Sequence, residues 1–408
     1  PGLEKLLSSE KVKGYIGYDP TAPSITIGNL VTLMMLVHFQ RHGHQPVVLF
    51  GGATGRVGDP SGKDAERKML DEEVIERNLQ AQKEQFHHLL RFGEEKNKAI
   101  LCNNYDWFKS IGFLEFLRDA GKHLTVNYMM SKESVKRRIE TGISFTEFSY
   151  QLLQGFDFYH LNKNEDVKLQ MGGSDQWGNI TTGTELIRRK SDGEAYAVTC
   201  PLLTKADGTK FGKSEGQNIW LDRKLTSPYK FYQFFLNATD EDAARFLRIF
   251  CLRPIEEIKQ ILADHEERKG AKVAQHVLAE DLTAFVHSEE DVQKSKDISR
   301  ILFGKATSEE LSKMTKDEML EAFDGLPVFK LEKSLLAEGV EIVELMATHT
   351  NISKSKGDAR RSLKGNAISL NKSKVNQQDR MVTNADLVNE SFLLLQNGKK
   401  NHHLVIFE

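Results

Sequence analysis

The sequence is poor in cysteine and has no long apolar run. Its 408 residues include three cysteines, Cys102, Cys200 and Cys251, which lie far apart and form no CxxC pair. This pattern argues against a disulfide framework or a cysteine zinc site and is typical of a reducing compartment. No run of about 18 apolar residues occurs, as a membrane-spanning helix would need, and residues 1–14 lack the apolar core of a secretory signal. We therefore expect a cytoplasmic protein without a membrane partner.

Two common phosphate-binding motifs are also missing. No GxGxxG pattern stands near the first predicted strand, where a dinucleotide-binding fold would have it. Residues 58–63 (GDPSGK) resemble a P-loop but are one residue short, and Asp64 stands where Ser or Thr would bind magnesium. The sequence therefore indicates no dedicated metal site.

The remaining composition is that of a globular protein with one strongly basic stretch. Hydrophobic residues make up 39% and charged residues 28%, and 408 residues are enough for two or three domains. The formal net charge is only -2, yet residues 351–376 contain seven basic residues and one acidic residue. Such a local excess of positive charge predicts contact with a polyanion.

The first half of the chain alternates predicted strands and helices. Residues 15–18 and 46–50 read as strands, and residues 28–42 between them read as a helix with one apolar face. This spacing predicts a right-handed βαβ unit and hence a parallel sheet. Strand patterns at 167–171 and 196–203 extend it to about residue 221. We predict a Rossmann-like α/β domain over residues 1–221, with ligands bound beyond the carboxyl ends of its strands.

The second half changes character. Helical patterns follow one another after Pro228 and predict an all-helical domain over residues 222–322. We expect a linker at 323–338 and a small basic α+β domain at 339–408, which ends in an apolar strand at 403–407.

Three loops at predicted strand ends suit nucleotide binding. Residues 18–29 lead into a helix whose first amides can hold phosphate. Residues 51–58 place glycines where a backbone must approach a ligand closely. Residues 205–214 carry Lys205, Lys210 and Lys213, which suit neutralisation of a triphosphate in a transition state. Each pattern on its own is most often an ordinary turn or a solvated loop.

The order of these loops resembles that of class I aminoacyl-tRNA synthetases. Residues 19–29 (DPTAPSITIGN) resemble the His-Ile-Gly-His element, and residues 210–214 (KFGKS) resemble the Lys-Met-Ser-Lys-Ser loop. Residues 51–62 and 172–179 (GGSDQWGN) are similar to motifs of bacterial-type tyrosyl-tRNA synthetases in particular. The resemblance covers essentially the whole chain. It implies activation of L-tyrosine with ATP to tyrosyl-adenylate and pyrophosphate, then transfer of tyrosyl to the 3'-terminal adenosine of tRNA(Tyr).

The resemblance also implies a tyrosine pocket. Tyr15 and Asp157 would bond the phenolic hydroxyl, Gln176 would contact the carboxyl end, and the α-ammonium would be held by Asp59, Tyr150 and Gln154. The last two lie with Asp157 at i, i+4 and i+7, so one helical face would present all three. The plainer alternative is that these polar groups satisfy hydrogen bonds within an aromatic core.

For ATP, the resemblance implies a phosphate end and a ribose end. Asp19 would lie near the α-phosphate, Asp175 would bond the ribose, and Gly28 and Gly172 would allow close approach. The residues expected to meet the outgoing pyrophosphate are Thr21, Lys210 and Lys213, with Lys63 and Arg67 as helpers. Magnesium is expected to arrive with ATP.

This chain departs from the namesake motif of the family at both histidines. Thr26 replaces the first and Asn29 the second. Asn29 can still donate a hydrogen bond to the nucleotide, whereas Thr26 has a shorter reach and loses the imidazole contact to phosphate.

The basic stretch and one inserted segment imply further partners. Residues 352–371 resemble a small RNA-binding domain shared with a ribosomal small-subunit protein, in which Ser353 would cap a helix. The cations expected on its outer face to grip RNA phosphates are Lys354, Lys356, Arg360, Arg361 and Lys364. A merely solvated basic helix is the alternative. The resemblance also implies a homodimer, with the interface in an inserted segment at about 105–150, centred on 113–148.

Two competing interpretations remain open. A tryptophanyl enzyme shares the fold, but the pair Tyr15 and Asp157 and the basic C-terminal domain speak against it. An RNA-binding protein with weakened catalysis is suggested by Thr26 and Asn29, but such a protein would have no use for the lysines of the 205–214 loop.

Overall fold

The computed structural model describes residues 2–61, 70–139, 142–191, 193–209, 211–214, 217–303, 308–323, 327–398 and 401–408. Three predicted phosphate-binding residues, Lys63, Arg67 and Lys210, lie outside these ranges. The chain divides into two compact units. The first consists of Pro1–Thr226 and Asn237–Val286, and the second of Ser227–Leu236 and His287–Glu408.

The first unit is built on a parallel sheet of five strands in the order β3-β2-β1-β4-β5. The strands are β1 (Lys13–Tyr18), β2 (Gln45–Phe50), β3 (Ile100–Asn103), β4 (Val167–Gly173) and β5 (Tyr196–Cys200). Every residue of β2 is buried, as expected for a parallel strand covered on both faces by helices. The strand order reverses between β1 and β4, so the predicted Rossmann-like fold is confirmed.

Helices surround this sheet. They are α1 (Gly2–Ser9), α2 (Ile27–Arg41), α3 (Glu72–Leu89), α4 (Tyr105–Phe108), α5 (Phe113–Asp119), α6 (Val126–Met130), α7 (Glu133–Ile139), α8 (Phe145–Glu165) and α9 (Trp177–Ser191). Gly43, at φ +90°, follows α2 in a backbone conformation that favours glycine. A core of Tyr15, Val47, Phe158 and Leu186 joins β1 and β2 to α8 and α9. The helix-and-strand pattern predicted around residues 15–50 is therefore present.

Three further helices and a small ribbon complete the first unit. The helices are α11 (Asp240–Phe250), α12 (Ile255–Glu267) and α13 (Val273–Val286), and the antiparallel ribbon is β6 (Lys213–Ser214) with β7 (Gln217–Asn218). Helix α13 packs against α11 and α12 and also contacts α3.

The second unit combines helices with a mixed sheet in the order β11-β10-β13-β14-β8. Its strands are β8 (Val328–Leu331), β9 (Val340–Glu341), β10 (Ile368–Leu370), β11 (Ser373–Lys374), β12 (Met381–Val382), β13 (Phe392–Asn397) and β14 (Asn401–Phe407). Its helices are α10 (Pro228–Leu236), α14 (Glu289–Phe303), α15 (Ser308–Ser312), α16 (Lys316–Ala322), α17 (Ile342–Glu344) and α18 (Lys356–Lys364).

Both faces of the β13–β14 hairpin are buried. Leu393 and Val405 pack into a core with α17 and α18. Their neighbours Leu394 and Leu404 pack with helices α10, α14 and α16. Because successive residues of a strand point to opposite faces, one hairpin serves two cores.

The predicted domain boundaries remain a prediction. The two compact units divide the chain at other positions than the predicted domains do. The stretch 222–322, predicted as one helical domain, is shared between the units. The predicted linker, 323–338, contains β8, which pairs in parallel with β14.

The predicted helix cap at Ser353 is wrong. Ser355 is the N-cap of α18, and its side chain accepts a hydrogen bond from the Asp358 backbone N at 3.2 Å. Ser353 instead donates its backbone N–H to the Met346 carbonyl at 2.9 Å, because it lies in the turn that closes the preceding helix. Among the described helices, none is long and apolar enough to cross a membrane.

Candidate active site

A cavity of about 670 Å³ opens beyond the carboxyl ends of β1 and β4. This is the point where the strand order reverses, at which parallel sheets bind ligands. The predicted residues that line it are Tyr15, Asp19, Thr21, Thr26, Gly28, Asn29, Asp59, Tyr150, Gln154, Asp157, Gly172, Asp175 and Gln176. The fold thus brings together residues from four separate stretches of sequence, while their individual roles remain predictions.

One end of the cavity contains a buried carboxylate held by two donors. Asp157, 1% exposed, lies on α8. Its Oδ2 accepts a hydrogen bond from Asn104 Nδ2 at 3.0 Å, and its Oδ1 accepts one from Trp107 Nε1 at 2.9 Å. The indole of Trp107 stacks on His160 with ring centroids 4.4 Å apart, which fixes the direction of its N–H.

Burial determines the protonation of this carboxyl group. Loss of solvent raises the pKa of Asp157 from 3.8 to about 8, although the hydrogen bonds from Asn104 and Trp107 act to lower it. The nearby carboxylate of Asp19 raises this pKa further. A third donor at Asp157 would therefore favour the ionised form.

The hydroxyl of Tyr15 shares the polar end of the cavity. Tyr15 is fully buried, and its ring packs edge-on to Phe158 at 5.4 Å. Its hydroxyl has no hydrogen-bond partner within the described structure. Burial, and after it the charge of Asp157, raises the pKa of Tyr15 well above its usual value. A buried polar atom without a partner next to a cavity is the arrangement expected where a polar ligand completes the site.

Asp19 and Tyr150 are bonded to each other. The Tyr150 hydroxyl donates to Asp19 Oδ2 at 2.8 Å, and Thr54 Oγ1 donates to Asp19 Oδ1 at 2.7 Å. Burial raises the pKa of Tyr150, and the neighbouring carboxylates of Asp19 and Asp59 add to this. The hydroxyl predicted to hold the α-ammonium of a substrate is thus oriented here by Asp19.

Another part of the lining is a hydrogen-bond network centred on Asp59. Gln176 Nε2 donates to Asp59 Oδ2 at 2.6 Å, and Asn179 Nδ2 donates to Asp59 Oδ1 at 3.3 Å. Gln176 Nε2 also lies 3.3 Å from Asp175 Oδ2. Burial raises the pKa of Asp175. Acidic oxygens at this position suit a ligand ammonium group and ribose hydroxyls.

The replacements at the two motif histidines form a small helix cap. Asn29 Oδ1 accepts from the backbone N and from the Oγ1 of Thr26, each at 3.0 Å. These bonds fasten the first turn of α2 and use the carbonyl oxygen of Asn29. The donor predicted to reach the nucleotide is the NH₂ group of Asn29, which these two bonds do not use.

Backbone contacts bring the lysine loop to the start of α2. The Ile27 N donates to the Ile219 carbonyl and the Ile219 N to the Gly212 carbonyl, both at 3.0 Å. Gly212 has a φ of +95°, and a Cβ there would lie 3.3 Å from the backbone N of Gly28. Glycine thus permits the close approach, and the backbone of Lys213 follows in β6.

Sequence reasoning missed four residues that hold the predicted ones. Asn104 and Trp107 orient Asp157, Thr54 orients Asp19, and Asn179 orients Asp59. Thr54 and Asn179 belong to the motifs at 51–62 and 172–179, which could have pointed to them. Asn104 and Trp107 carry no comparable signal, since they lie in a stretch without a motif.

Outside the cavity, large apolar side chains are exposed between residues 113 and 145. They include Phe113 at 65%, Leu114 at 75%, Val126 at 60% and Phe145 at 70% exposure. They lie on α5, on α6 and at the start of α8, within the predicted interface segment. This segment therefore exposes more large apolar surface than scattered single residues would.

The basic face predicted for RNA is exposed on and beside α18. The exposed cations are Lys354, Lys356, Arg360, Arg361 and Lys364. Lys356 pairs with Glu344 at 2.8 Å, and Arg361 with Asp358 at 3.4 Å. Within the part of the chain that is described, no group of three His, Cys, Asp or Glu side chains could hold a metal ion.

Two family patterns match the chain. The family described as tRNA synthetases class I (W and Y) matches residues 7–304. The domain described as tyrosine–tRNA ligase SYY-like C-terminal domain matches residues 318–405. Between them they span both units.

Individual proteins similar to this chain carry names of the same family. A tyrosine–tRNA ligase of Cytophaga hutchinsonii is 55% identical over 100% of this chain and 96% of its own length. One of Bacteroides fragilis is 54% identical with the same coverage. Among solved structures, a C-terminally truncated mitochondrial tyrosyl-tRNA synthetase of Aspergillus nidulans is 32% identical with a TM-score of 0.67, covering 74% of this chain and 88% of that one.

Proposed function

Because this chain belongs to the class I tRNA synthetases (W and Y), we propose that its activity is that of a tyrosine–tRNA ligase. The observation that carries the choice of tyrosine is the buried polar end of the cavity, where Tyr15 and Asp157 are 0% and 1% exposed. The phenolic hydroxyl of tyrosine would give the Tyr15 hydroxyl a hydrogen-bond partner and would give Asp157 a third donor. For this chain we propose the cytoplasm as the place of action, as its cysteine pattern indicates.

Tyrosine specificity follows from the cost of leaving such groups unpaired. Phenylalanine would fill the same space but leave both polar groups buried without the ligand hydrogen bond. Each unsatisfied buried group costs about 1–3 kcal/mol. The wider indole of tryptophan has its N–H in a different position, so the tryptophanyl alternative is disfavoured on geometry as well.

The remaining walls suit the reacting end of the amino acid and ATP. Asp59, Gln154 and Tyr150 would hold the α-ammonium, and Gln176 would contact the carboxylate. Asp175 would bond the ribose, and Asp19, Thr21, Thr26 and Asn29 would lie along the phosphates at the start of α2, where helix amides attract anions. Gly28 and Gly172 would let the nucleotide approach the backbone. Lys63, Arg67, Lys210 and Lys213 would meet the pyrophosphate.

The first reaction step needs no covalent enzyme intermediate and no general base. The tyrosine carboxylate attacks the α-phosphorus of ATP in line, a P–O bond forms, and the bond to pyrophosphate breaks. The protein contributes by positioning the two substrates and by placing cations where charge develops. Magnesium enters with ATP as part of that substrate.

The second step requires tRNA(Tyr). Its terminal adenosine attacks the carbonyl carbon of tyrosyl-adenylate and releases AMP. We assign the exposed cations of α18 to contacts with RNA phosphates elsewhere on the same tRNA.

The exposed apolar segment supports a homodimer. A second copy of the chain would cover Phe113, Leu114, Val126 and Phe145 and remove their apolar surface from water. Sedimentation of wild-type protein and of Leu114→Asp tests this, with Leu320→Asp as the control because Leu320 is also exposed, at 47%, but lies on α16. We expect dimers for wild type and control and monomers for Leu114→Asp. A monomeric wild type at micromolar concentration would refute the dimer.

The activity is tested by amino-acid-dependent exchange of labelled pyrophosphate into ATP. We expect exchange with tyrosine and not with phenylalanine or tryptophan. Exchange with tryptophan alone would establish the tryptophanyl alternative. Absence of exchange with all three, in folded protein that binds tRNA, would favour an RNA-binding protein without catalysis.

A further inference from the structure

Helix α3 carries side-chain amides on its buried face. Asn78 and Gln82 are each 3% exposed, although the same face includes the apolar Ile75 and Phe86. With Gln85 they stand at i, i+4 and i+7, which places all three on one side of the helix. Polar side chains at core-facing positions need partners, because an unpaired buried amide is costly.

Those partners are backbone groups of the loop between β1 and α2. Asn78 Nδ2 donates to the Pro20 carbonyl at 3.1 Å, and Gln82 Nε2 donates to the Ala22 carbonyl at 2.9 Å. At the far end of the loop, the Ile25 N–H donates to Gln85 Oε1 at 3.1 Å. One helix face therefore satisfies three backbone groups of a single loop, at residues 20, 22 and 25.

The loop is also held at Asp19 by Tyr150 and Thr54, and at Ser24, whose Oγ accepts from the Asp222 N at 3.1 Å. It begins at β1, and at its end the Leu221 N donates to the Ile25 carbonyl at 3.0 Å. Asp19 and Thr21 lie between these points and Thr26 follows directly, and all three line the cavity where we have placed the phosphates of ATP. The conformation of this middle section sets where those groups meet the nucleotide.

We propose that Asn78, Gln82 and Gln85 are positioning residues for ATP activation, an inference that rests on the proposed function. They hold residues 20–25 in the shape that receives the α-phosphate before the nucleotide arrives. Gln82 itself borders the cavity, and its Oε1 has no hydrogen-bond partner in the described ranges. Tyr15 and Asp157, which we expect to recognise tyrosine, receive no hydrogen bond from α3 within the described structure, so we expect tyrosine binding to change little when these amides are removed.

The test compares Gln82→Met with Gln80→Met in the full-length protein. Methionine keeps the length of glutamine but removes the amide, and Gln80 is an exposed residue of the same helix, bonded to Glu76. Three quantities are measured: kcat and KM for ATP in tyrosine-dependent pyrophosphate exchange, the Kd for tyrosine alone by equilibrium dialysis, and the unfolding midpoint in urea. We expect Gln82→Met to lower kcat at least tenfold, equivalent to ~1.4 kcal/mol in the barrier, with the tyrosine Kd unchanged within twofold.

The other outcomes are equally clear. Exchange by Gln82→Met within twofold of wild type would overturn the inference. A parallel loss of tyrosine affinity would overturn it too, since that would indicate a general structural role. If Gln82→Met does not fold, Gln85→Met, whose side chain bonds the other end of the loop, decides the matter by the same criteria. Wild-type protein without exchange would instead refute the proposed function.

Discussion

Replacing Tyr15 by phenylalanine should stabilise the free protein. The side chain is fully buried, and its hydroxyl has no hydrogen-bond partner in the described structure. A buried unsatisfied polar group costs about 1–3 kcal/mol. Phenylalanine removes that atom, keeps the packing against Phe158, and opens only a small void. We therefore expect the free energy of unfolding without ligand to rise by ~1 kcal/mol, the low end of that range.

The same change should weaken tyrosine binding. The hydroxyl of Tyr15 is expected to bond the phenol of the substrate, and a net hydrogen bond is worth about 0.5–1.5 kcal/mol. At ~1.4 kcal/mol per factor of ten, the variant should lose up to about tenfold in tyrosine affinity. Phenylalanine, which never used that bond, should bind no worse, so discrimination falls by the same factor. A variant that is more stable but less specific is expected when the replaced polar group serves ligand binding rather than folding.

Urea unfolding and competitive pyrophosphate exchange measure the two effects. Tyr18→Phe is the matched control, because Tyr18 lies on the same strand and is also buried, but its hydroxyl is 3.3 Å from Thr32 Oγ1. Removing this satisfied hydroxyl should destabilise the protein. If Tyr15→Phe is destabilised as much as Tyr18→Phe and discriminates like wild type, the reasoning about an unsatisfied hydroxyl is wrong.

Three further predictions concern other parts of the molecule. Because burial raises the pKa of Asp157 to about 8, its bound proton favours the folded state at low pH and this contribution is lost as the pH rises to about 8. Tyrosine affinity should change in the opposite direction and rise from about pH 6 to about pH 8, because the carboxylate forms over this range. In equilibrium binding, the Asp157→Asn variant should show no such dependence of tyrosine affinity on pH. Arg138→Met should lower the free energy of unfolding, measured in urea, by about 3–5 kcal/mol. The reason is that the buried Glu147 loses its two hydrogen bonds from Arg138, at 2.8 and 2.9 Å. A decrease below about 1 kcal/mol would contradict this. The double variant Arg360→Ala, Lys364→Ala should weaken tRNA binding and flatten its salt dependence by about 0.7–0.9 per lost phosphate contact in a plot of log K against log salt, with pyrophosphate exchange unchanged.

Local sequence determined the elements and most of the cavity lining. The strand and helix patterns over residues 15–50 predicted β1, α2 and β2, because the spacing of apolar residues along the sequence indicates which face of an element is buried. The motifs at 19–29 and 172–179 pointed to Asp19, Asp175 and Gln176, which line the cavity. The spacing of Tyr150, Gln154 and Asp157 predicted one helical face, and α8 carries all three.

Contacts between distant residues were beyond the reach of local pattern. The family resemblance predicts that Tyr150 holds the α-ammonium, but it did not predict that the Tyr150 hydroxyl donates to Asp19, which is 131 residues away along the chain. Ser355 rather than Ser353 caps α18, because the backbone N–H of Ser353 donates to the Met346 carbonyl in the preceding turn.

What the sequence determined by itself was the family, the order of elements and the chemical groups available, since these depend on residue type and spacing. Only the tertiary structure decided which of those groups meet. Asn104 and Trp107 reach Asp157, and the amides of α3 reach the loop at 20–25, across separations of about fifty residues or more. Chain folding brings such groups together because the sheet and its helices must bury their apolar faces at the same time, and no local pattern encodes that joint solution.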